Sequence, residues 1–186
     1  PDVFAAASRA HGAKVLLVQL ETPIPTVLAA LQAAAEMGMK TILNPAPAAE
    51  LPDEVLELTH LITPNETEAE LLTGVRPIDD PSREEAAKRL LDRGVREVII
   101  TLGAEGCFYS GPAGSGVIPA LRVKPVDTVA AGDAFNGALA LSVAGGTPIP
   151  QSMEFANKVA AISVTRSGAQ ASMPTDGEVV SFSALG

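Results

Sequence analysis

Short apolar runs alternate with helical patterns through the first hundred residues of this chain. The apolar runs have strand length and are "KVLLVQL", "KTILNPA", "HLITPN" and "EVIITLG". The stretches between them repeat apolar residues at helical spacing and are "TVLAALQAAAEMG", "LPDEVLELT", "ETEAELLTG" and "SREEAAKRLLDRG". Because crossover helices join parallel strands, this alternation predicts an α/β fold, a three-layer α/β/α sandwich around a mostly parallel sheet.

The pattern changes after Gly103. "GCFYS" and "VIPALRV" predict two short antiparallel strands added to the sheet, with the Gly/Pro-rich "GPAGSG" as the turn between them. Two long helical patterns follow, roughly over 132–145 and 151–166. At 186 residues and without an internal repeat, the chain is most simply one domain.

Composition and charge exclude several classes of function. A net charge of −9 without a basic block argues against nucleic acid as a partner. The longest apolar runs are far shorter than the ~20 residues of a membrane span, so no membrane segment is predicted. The N-terminus lacks the features of a signal peptide, which leaves a cytoplasmic location as the expectation. One cysteine, Cys107, and two distant histidines make a zinc site improbable.

Polar residues follow the ends of the predicted strands. They are Glu21, Asn44, Asn65 with Glu68, and the segment 101–106. Each alone is typical of a helix cap or a turn. Ligands of open parallel sheets, however, bind beyond the carboxyl ends of the strands. The shared position of these residues therefore favours a binding site at this edge.

The stretch "VDTVAAGDAFNGALA" (126–140) combines small residues with two carboxylates at a helix start. Ala130, Ala131 and Gly132 leave backbone N–H groups uncovered, and the positive end of the helix dipole favours an anion there. Asp133 either caps the helix or takes a proton from a nucleophile that attacks a phosphoryl group. Asp127 either holds a cation or is a turn residue.

Four segments in this order resemble the ribokinase branch of the ribokinase/PfkB family of sugar and nucleoside kinases: "ITPNETEAELLTG", "ITLGAEG", "DTVAAGDAFNGAL" and "TRSGAQASMP". The family usually has Gly-Ala-Gly-Asp where this chain has Ala-Ala-Gly-Asp, an alanine that the ribokinase branch often shows. "LNPAPA" and "GAQAS" point to the same branch. The resemblance implies a ribokinase-like fold and ATP-dependent phosphorylation of D-ribose to D-ribose 5-phosphate, with Mg²⁺ and K⁺.

The resemblance also implies roles for individual residues. Asp133 would take the proton of the sugar 5-hydroxyl, and Ala130, Ala131 and Gly132 would form the anion hole with it. Glu21 matches a position near the sugar. The nucleotide-binding positions would be Asn65, Glu68, Thr101, Leu102, Gly103, Ala104, Glu105, Gly106, Gly132 and Asn157. The potassium ligands would be Asp127, Val129, Ser163, Arg166, Gly168 and Ser172.

The resemblance covers essentially the whole chain but only the later part of a family member, a little over half. The family's glycine-rich sugar site and its β lid, which also pairs subunits, have no counterpart in the sequence. We therefore expect residues 1–186 to be the C-terminal nucleotide-binding portion of a longer kinase that forms a homodimer through the lid. Two alternatives remain open: a related kinase for another sugar or a nucleoside, and a catalytically idle nucleotide-binding fragment.

Overall fold

Four parallel strands open the sheet in the computed structural model, which describes residues 10–182. They are β1 (Val15–Val18), β2 (Lys40–Leu43), β3 (Leu61–Ile62) and β4 (Glu97–Thr101). Each strand pairs in parallel with the next one along the chain. The predicted strands therefore all form, and the third is the shortest because Pro64 follows it closely.

Four helices connect these strands: α1 (Ile24–Glu36), α2 (Asp53–Glu57), α3 (Glu66–Thr73) and α4 (Asp80–Asp92). The patterns predicted all four, but the ends of some differ. Helix α4 begins before the predicted Ser82, because the side chain of Asp79 accepts the N–H of Ser82 and caps the helix there. Gly38, just beyond α1, has a φ of 69°, a conformation that favours glycine after a helix.

Helices α1 to α4 lie on one face of the sheet. Right-handed crossovers that always step to the next strand in the same direction place every helix on the same side. One core cluster accordingly joins buried residues of all four helices to alternate strand residues such as Leu43, Ile62 and Val98. The intervening residues Ile42 and Leu61 face the other way and are also fully buried. Both faces of the sheet are thus covered, and the predicted α/β fold is confirmed.

A hairpin extends the sheet beyond β4. Its strands are β5 (Cys107–Gly111) and β6 (Gly114–Ile118), and the six strands lie in chain order. The two-residue connection, 112–113, permits only antiparallel pairing. The turn is therefore shorter than the predicted "GPAGSG", whose last three residues belong to β6. The predicted strand "VIPALRV" is wrong beyond Ile118, where Pro119 follows without a backbone N–H to donate.

The described residues divide into two compact units. The first unit comprises 10–102 and 108–116, and the second comprises 103–107 and 117–182. In the second unit, α5 (Ala131–Ala144) packs along α6 (Ile149–Ser163), and α7 (Asp176–Ser181) packs on α6. Whether the whole chain acts as one domain stays a prediction. Within residues 10–182 no helix combines the length and apolar character needed to cross a membrane.

Candidate active site

Predicted binding residues of the first unit meet at the carboxyl ends of the strands. Asn65 and Thr101 form a parallel bridge, and the Thr101 N–H donates to the carbonyl of Pro64 at 2.9 Å. The side chain of Asn44 accepts from Gln19 at 2.9 Å and donates to the carbonyl of Thr63 at 3.1 Å, so it ties three strand ends together. The polar residues predicted at the carboxyl edge of the sheet thus lie there, and hydrogen bonds that the sequence did not predict join the strand ends.

Asn65 and Glu68 form a capping box at the start of α3. The Asn65 Oδ1 accepts the Glu68 N–H at 2.9 Å, and the Glu68 Oε2 accepts the Asn65 N–H at 2.8 Å. Burial raises the pKa of the Glu68 carboxyl, and the bond from Asn65 opposes part of that rise. The capping role is confirmed. The Oε1 of Glu68 takes no part in the cap, and such an oxygen donor fits Mg²⁺ beside nucleotide phosphates.

Glu21 lies apart from these bonds. It is exposed in the loop that follows β1. Its predicted place near a sugar stays a prediction, and an exposed carboxylate in a loop is compatible with that role.

The predicted nucleotide loop of the second unit is a 3₁₀ turn over Gly103–Glu105, closed by the Gly106 N–H donating to the Gly103 carbonyl at 3.2 Å. Gly106 has a φ of 107°, and a Cβ on it would lie 2.1 Å from the Ile118 carbonyl oxygen. Only glycine fits there. The loop is therefore held directly against the chain that follows β6.

Asn157 of α6 supports the same segment. Its Nδ2 donates to the carbonyls of Ile118 and Pro119 at 3.2 and 3.4 Å, and its Oδ1 accepts from the Cys107 thiol at 3.6 Å. Burial raises the pKa of that thiol to about 12. The sequence did not predict these contacts. They give the Asn157 side chain, which is 7% exposed, a structural role beside its predicted contact with adenine.

The start of α5 presents an uncapped helix N-terminus. The residue before the helix, Ala130, makes no side-chain cap. The N–H of Ala131 donates to the Thr128 carbonyl at 3.2 Å, which assigns that donor to the turn. Nothing lies within 4 Å of a Cβ built on Gly132, so an incoming group meets no obstacle there. Asp133 is exposed in the first turn. This donor set suits a phosphoryl group, with a carboxylate beside it.

Asp127 ties the chain before α5 to the loop after α6. Its Oδ1 accepts the Val129 N–H at 3.0 Å, and its Oδ2 accepts the Gly168 N–H at 2.9 Å. The bonds from Gly168 and Val129 lower the pKa of Asp127, which keeps it ionised. The structure thus brings together three of the predicted potassium ligands.

Of the other predicted potassium ligands, Ser163 ends α6, and Arg166 and Ser172 lie in the loop that follows it. The Arg166 N–H donates to the Ser163 carbonyl at 3.1 Å, and the buried Ser172 hydroxyl donates to the Ala169 carbonyl at 2.7 Å. Among residues 10–182 no group of three His, Cys, Asp or Glu side chains could hold a metal. A cation at this loop would therefore depend on backbone carbonyls together with Asp127, a set that suits a hard ion.

Glu178 is a residue of this region that the sequence analysis missed. Its carboxylate accepts the Thr175 N–H at 2.7 Å and the Arg166 Nη2 at 2.6 Å. Bonds from Thr175 and Arg166 lower the pKa of Glu178 to about 2. The signal was present, since the spacing of Thr175 and Glu178 is that of a capping box. Glu178 fixes the Arg166 side chain against α7.

Comparison with known proteins shows to which family the chain belongs. Residues 2–176 match the model for pfkB family carbohydrate kinase. A ribokinase from Haemophilus influenzae is 47% identical over 167 residues, which cover 90% of this chain and 55% of the relative. A deoxyribokinase from Salmonella typhi is 36% identical over 176 residues, which cover 94% and 57%. The structure of Arabidopsis thaliana ribokinase complexed with ribose and ATP matches with a TM-score of 0.89 and 27% identity, covering 98% of this chain and 59% of that one.

These matches extend along nearly all of this chain, which spans little more than half the length of the two curated relatives. The resemblance carried by the four sequence segments is confirmed. The chain belongs to the pfkB family of carbohydrate kinases.

Proposed function

We propose that the chain is the nucleotide-side portion of an ATP-dependent kinase that converts D-ribose to D-ribose 5-phosphate. The observation that carries this proposal is Asp133, an exposed carboxylate in the first turn of the uncapped helix α5. A base beside an anion-binding helix terminus is what transfer of a phosphoryl group to an alcohol requires. The 47% identity to a ribokinase supports ribose as the acceptor.

The chemistry assigns a task to each part of the site. Asp133 takes the proton of the 5-hydroxyl while that oxygen forms its bond to the γ-phosphorus of ATP and the bond to ADP breaks. The first-turn N–H groups of α5, with Gly132 at the open position, stabilise the charge on the phosphoryl oxygens. Asn65 and Glu68 would hold Mg²⁺ at the nucleotide phosphates, and the bound ion would neutralise phosphate charge. The segment 101–106 and Asn157 line the rest of the nucleotide.

The 36% identity to a deoxyribokinase supports a second candidate, phosphorylation of 2-deoxyribose. We expect kcat/KM of the full-length protein to be at least ~10-fold higher for ribose than for 2-deoxyribose, fructose or adenosine. A site built to bind a hydroxyl leaves polar groups unpaired when that hydroxyl is missing. A coupled ADP-release assay measures the panel, with Asp133→Asn protein as the blank for contaminating kinases. Preference for 2-deoxyribose would establish the second candidate, and ATP binding without turnover on any sugar would establish a catalytically idle nucleotide-binding protein.

We also propose that K⁺ binds between Asp127 and the loop of residues 163–172, through carbonyls of Val129, Ser163, Arg166, Gly168 and the Ser172 region. Replacing K⁺ by Na⁺ or Tris at matched ionic strength should lower kcat several-fold, because the ion orders the loop that flanks the anion hole. Asp127→Asn should weaken the response, while Asp176→Asn, an exposed acid on α7, should keep it. Equal rates with and without K⁺ would remove the ion from this site.

Homodimer formation through a lid stays a prediction, because the lid of the family has no counterpart in residues 1–186.

A further inference from the structure

A cavity of about 360 Å³ lies at the amino-terminal edge of the parallel sheet in the first unit. Its volume falls in the range of roughly 300–1,000 Å³ that is typical of small-molecule sites. The predicted nucleotide residues of this unit, Asn65 and Thr101, lie at the carboxyl ends of β3 and β4. The cavity is therefore at the opposite edge of the sheet and is not part of the candidate active site.

Three basic residues line the cavity, and each stands where a strand begins. Lys40 is the first residue of β2, His60 directly precedes β3, and Arg96 directly precedes β4. The parallel register pairs Ile42 with Leu61 and Leu61 with Glu97, so the starts of these strands are side by side. Residues far apart in the sequence thus converge at one opening.

Two of these basic residues form no ion pair within the described residues, although the charge of Lys40 helps to lower the pKa of the nearby Glu97. Neither Lys40 nor Arg96 has a carboxylate within ion-pair distance. His60 differs, because its Nε2 lies 3.2 Å from the Oε1 of the buried Glu97. Six other basic side chains of the described part are each paired with an acid: Arg76, Arg83, Lys88, Arg89, Arg93 and Arg166. The exposed side chains of Lys40 and Arg96 are therefore available to an anion.

The same cavity also carries acceptors. They are the two oxygens of the exposed Glu57 carboxylate, because the carbonyl of Ala35, at the end of α1, already accepts the Gly38 N–H at 3.0 Å. An anion without hydroxyl groups would contact only the basic side chains. A ligand with an anionic group and hydroxyl groups would contact both the basic side chains and Glu57, because hydroxyls donate to carboxylate oxygens.

Two threonines that line the cavity, Thr41 and Thr59, use their hydroxyls in hydrogen bonds within the protein. The Thr41 hydroxyl donates to the Leu58 carbonyl at 2.6 Å and accepts the His60 N–H at 2.8 Å. The Thr59 hydroxyl donates to the Val55 carbonyl at 2.7 Å. Both threonines are at most 3% exposed. Because both hydroxyls already form hydrogen bonds within the protein, a ligand would be bound by the charged side chains at the rim of the cavity.

We propose that this cavity is a second binding site, for a phosphate monoester of a small polyhydroxy compound. Lys40 and Arg96 bind the phosphate, and the Glu57 carboxylate accepts from the hydroxyls. This inference does not depend on the proposed ribose kinase activity, because none of these residues belongs to that site.

Amide shifts of the ¹⁵N-labelled chain test the proposal with three probes at constant ionic strength: glycerol 3-phosphate, inorganic phosphate and glycerol. We expect saturable shifts at 38–41, 57–60 and 96 with glycerol 3-phosphate, the same amides shifting at higher concentration with phosphate, and none with glycerol. Shifts confined to other segments, such as 130–133, or none at all, would overturn the proposal. Equal affinity for phosphate and its ester would overturn the role given to the hydroxyls.

Variants test whether Lys40 and Arg96 supply the positive charge that binds the phosphate. The double variant Lys40→Gln, Arg96→Gln should bind glycerol 3-phosphate at least ~10-fold more weakly, since it loses two charge-assisted hydrogen bonds. The control Arg76→Gln, Lys88→Gln removes the same charge from exposed side chains of the first unit outside the cavity. All four residues are exposed, and thermal unfolding verifies that both variants fold. Equal weakening in the two double variants would show a general charge effect and overturn the site.

Discussion

Asp133→Asn in the full-length protein should lower kcat at least ~10²-fold, the lower end of the usual contribution of a general base. Asparagine keeps the size of the side chain but cannot take the proton of the 5-hydroxyl. Folding should change little, because an acid in the first turn of a helix contributes only about 0.3–1 kcal/mol. Single-turnover phosphorylation of ribose, with thermal unfolding in parallel, measures both effects.

The matched control is Asp176→Asn. Asp176 is also an exposed acid in the first turn of a helix, here α7, so its replacement changes the same helix-terminus interaction. Turnover should stay at the wild-type level in that variant. If Asp133→Asn retained near-normal turnover, Asp133 would leave the mechanism and remain as a helix-terminus residue.

Gly106→Ala should destabilise the second unit by roughly 2–6 kcal/mol. Two costs add: a side chain at a φ of 107°, about 1–3 kcal/mol, and a Cβ inside contact distance of three backbone atoms, about 1–3 kcal/mol more. Those atoms cannot move freely, because Asn157 holds the carbonyls of Ile118 and Pro119. Urea unfolding, followed by circular dichroism, measures the decrease in the free energy of unfolding.

Alanine substitutions at two other glycines of the second unit separate the conformational cost from the steric cost. Gly103 has a φ of 55° with no atom within 4 Å of its Cβ position, so Gly103→Ala should cost only the roughly 1–2 kcal/mol of the left-handed conformation. Gly132→Ala, with neither a positive φ nor a close neighbour, should leave stability unchanged or raise it. If Gly106→Ala were as stable as Gly103→Ala, residues 118–120 would have moved to make room for the new Cβ. The close approach of these residues would then not restrict position 106 to glycine.

Local patterns predicted the elements because each depends on neighbours in sequence. The apolar spacing of α1 and α4 favours a helix, and the glycine after each of them favours a helix end there. The ends of the helices are harder to predict. A capping side chain such as Asp79, rather than the first apolar residue, determines where a helix begins. The strand predicted at "VIPALRV" forms only as far as Ile118, because Pro119 has no backbone N–H to donate to the sheet.

The site was predictable where a motif is continuous and unpredictable where distant segments meet. The start of α5 follows from small residues before a helix, and the structure places Asp133 there. The contacts of Asn157 with residues 118 and 119 depend on tertiary packing, which periodicity does not encode. The convergence of Lys40 and Arg96 likewise depends on strand register, which no single segment specifies.

The order of β1 to β4 also bears on how the first unit is assembled during translation. Each of β2, β3 and β4 pairs with the strand made just before it, so its partner has already left the ribosome when it emerges. Hydrogen bonding can then proceed from the N-terminal side one crossover at a time, with loop closure confined to neighbouring segments. A nascent chain arrested after residue 101 would already contain every partner that this parallel ladder requires.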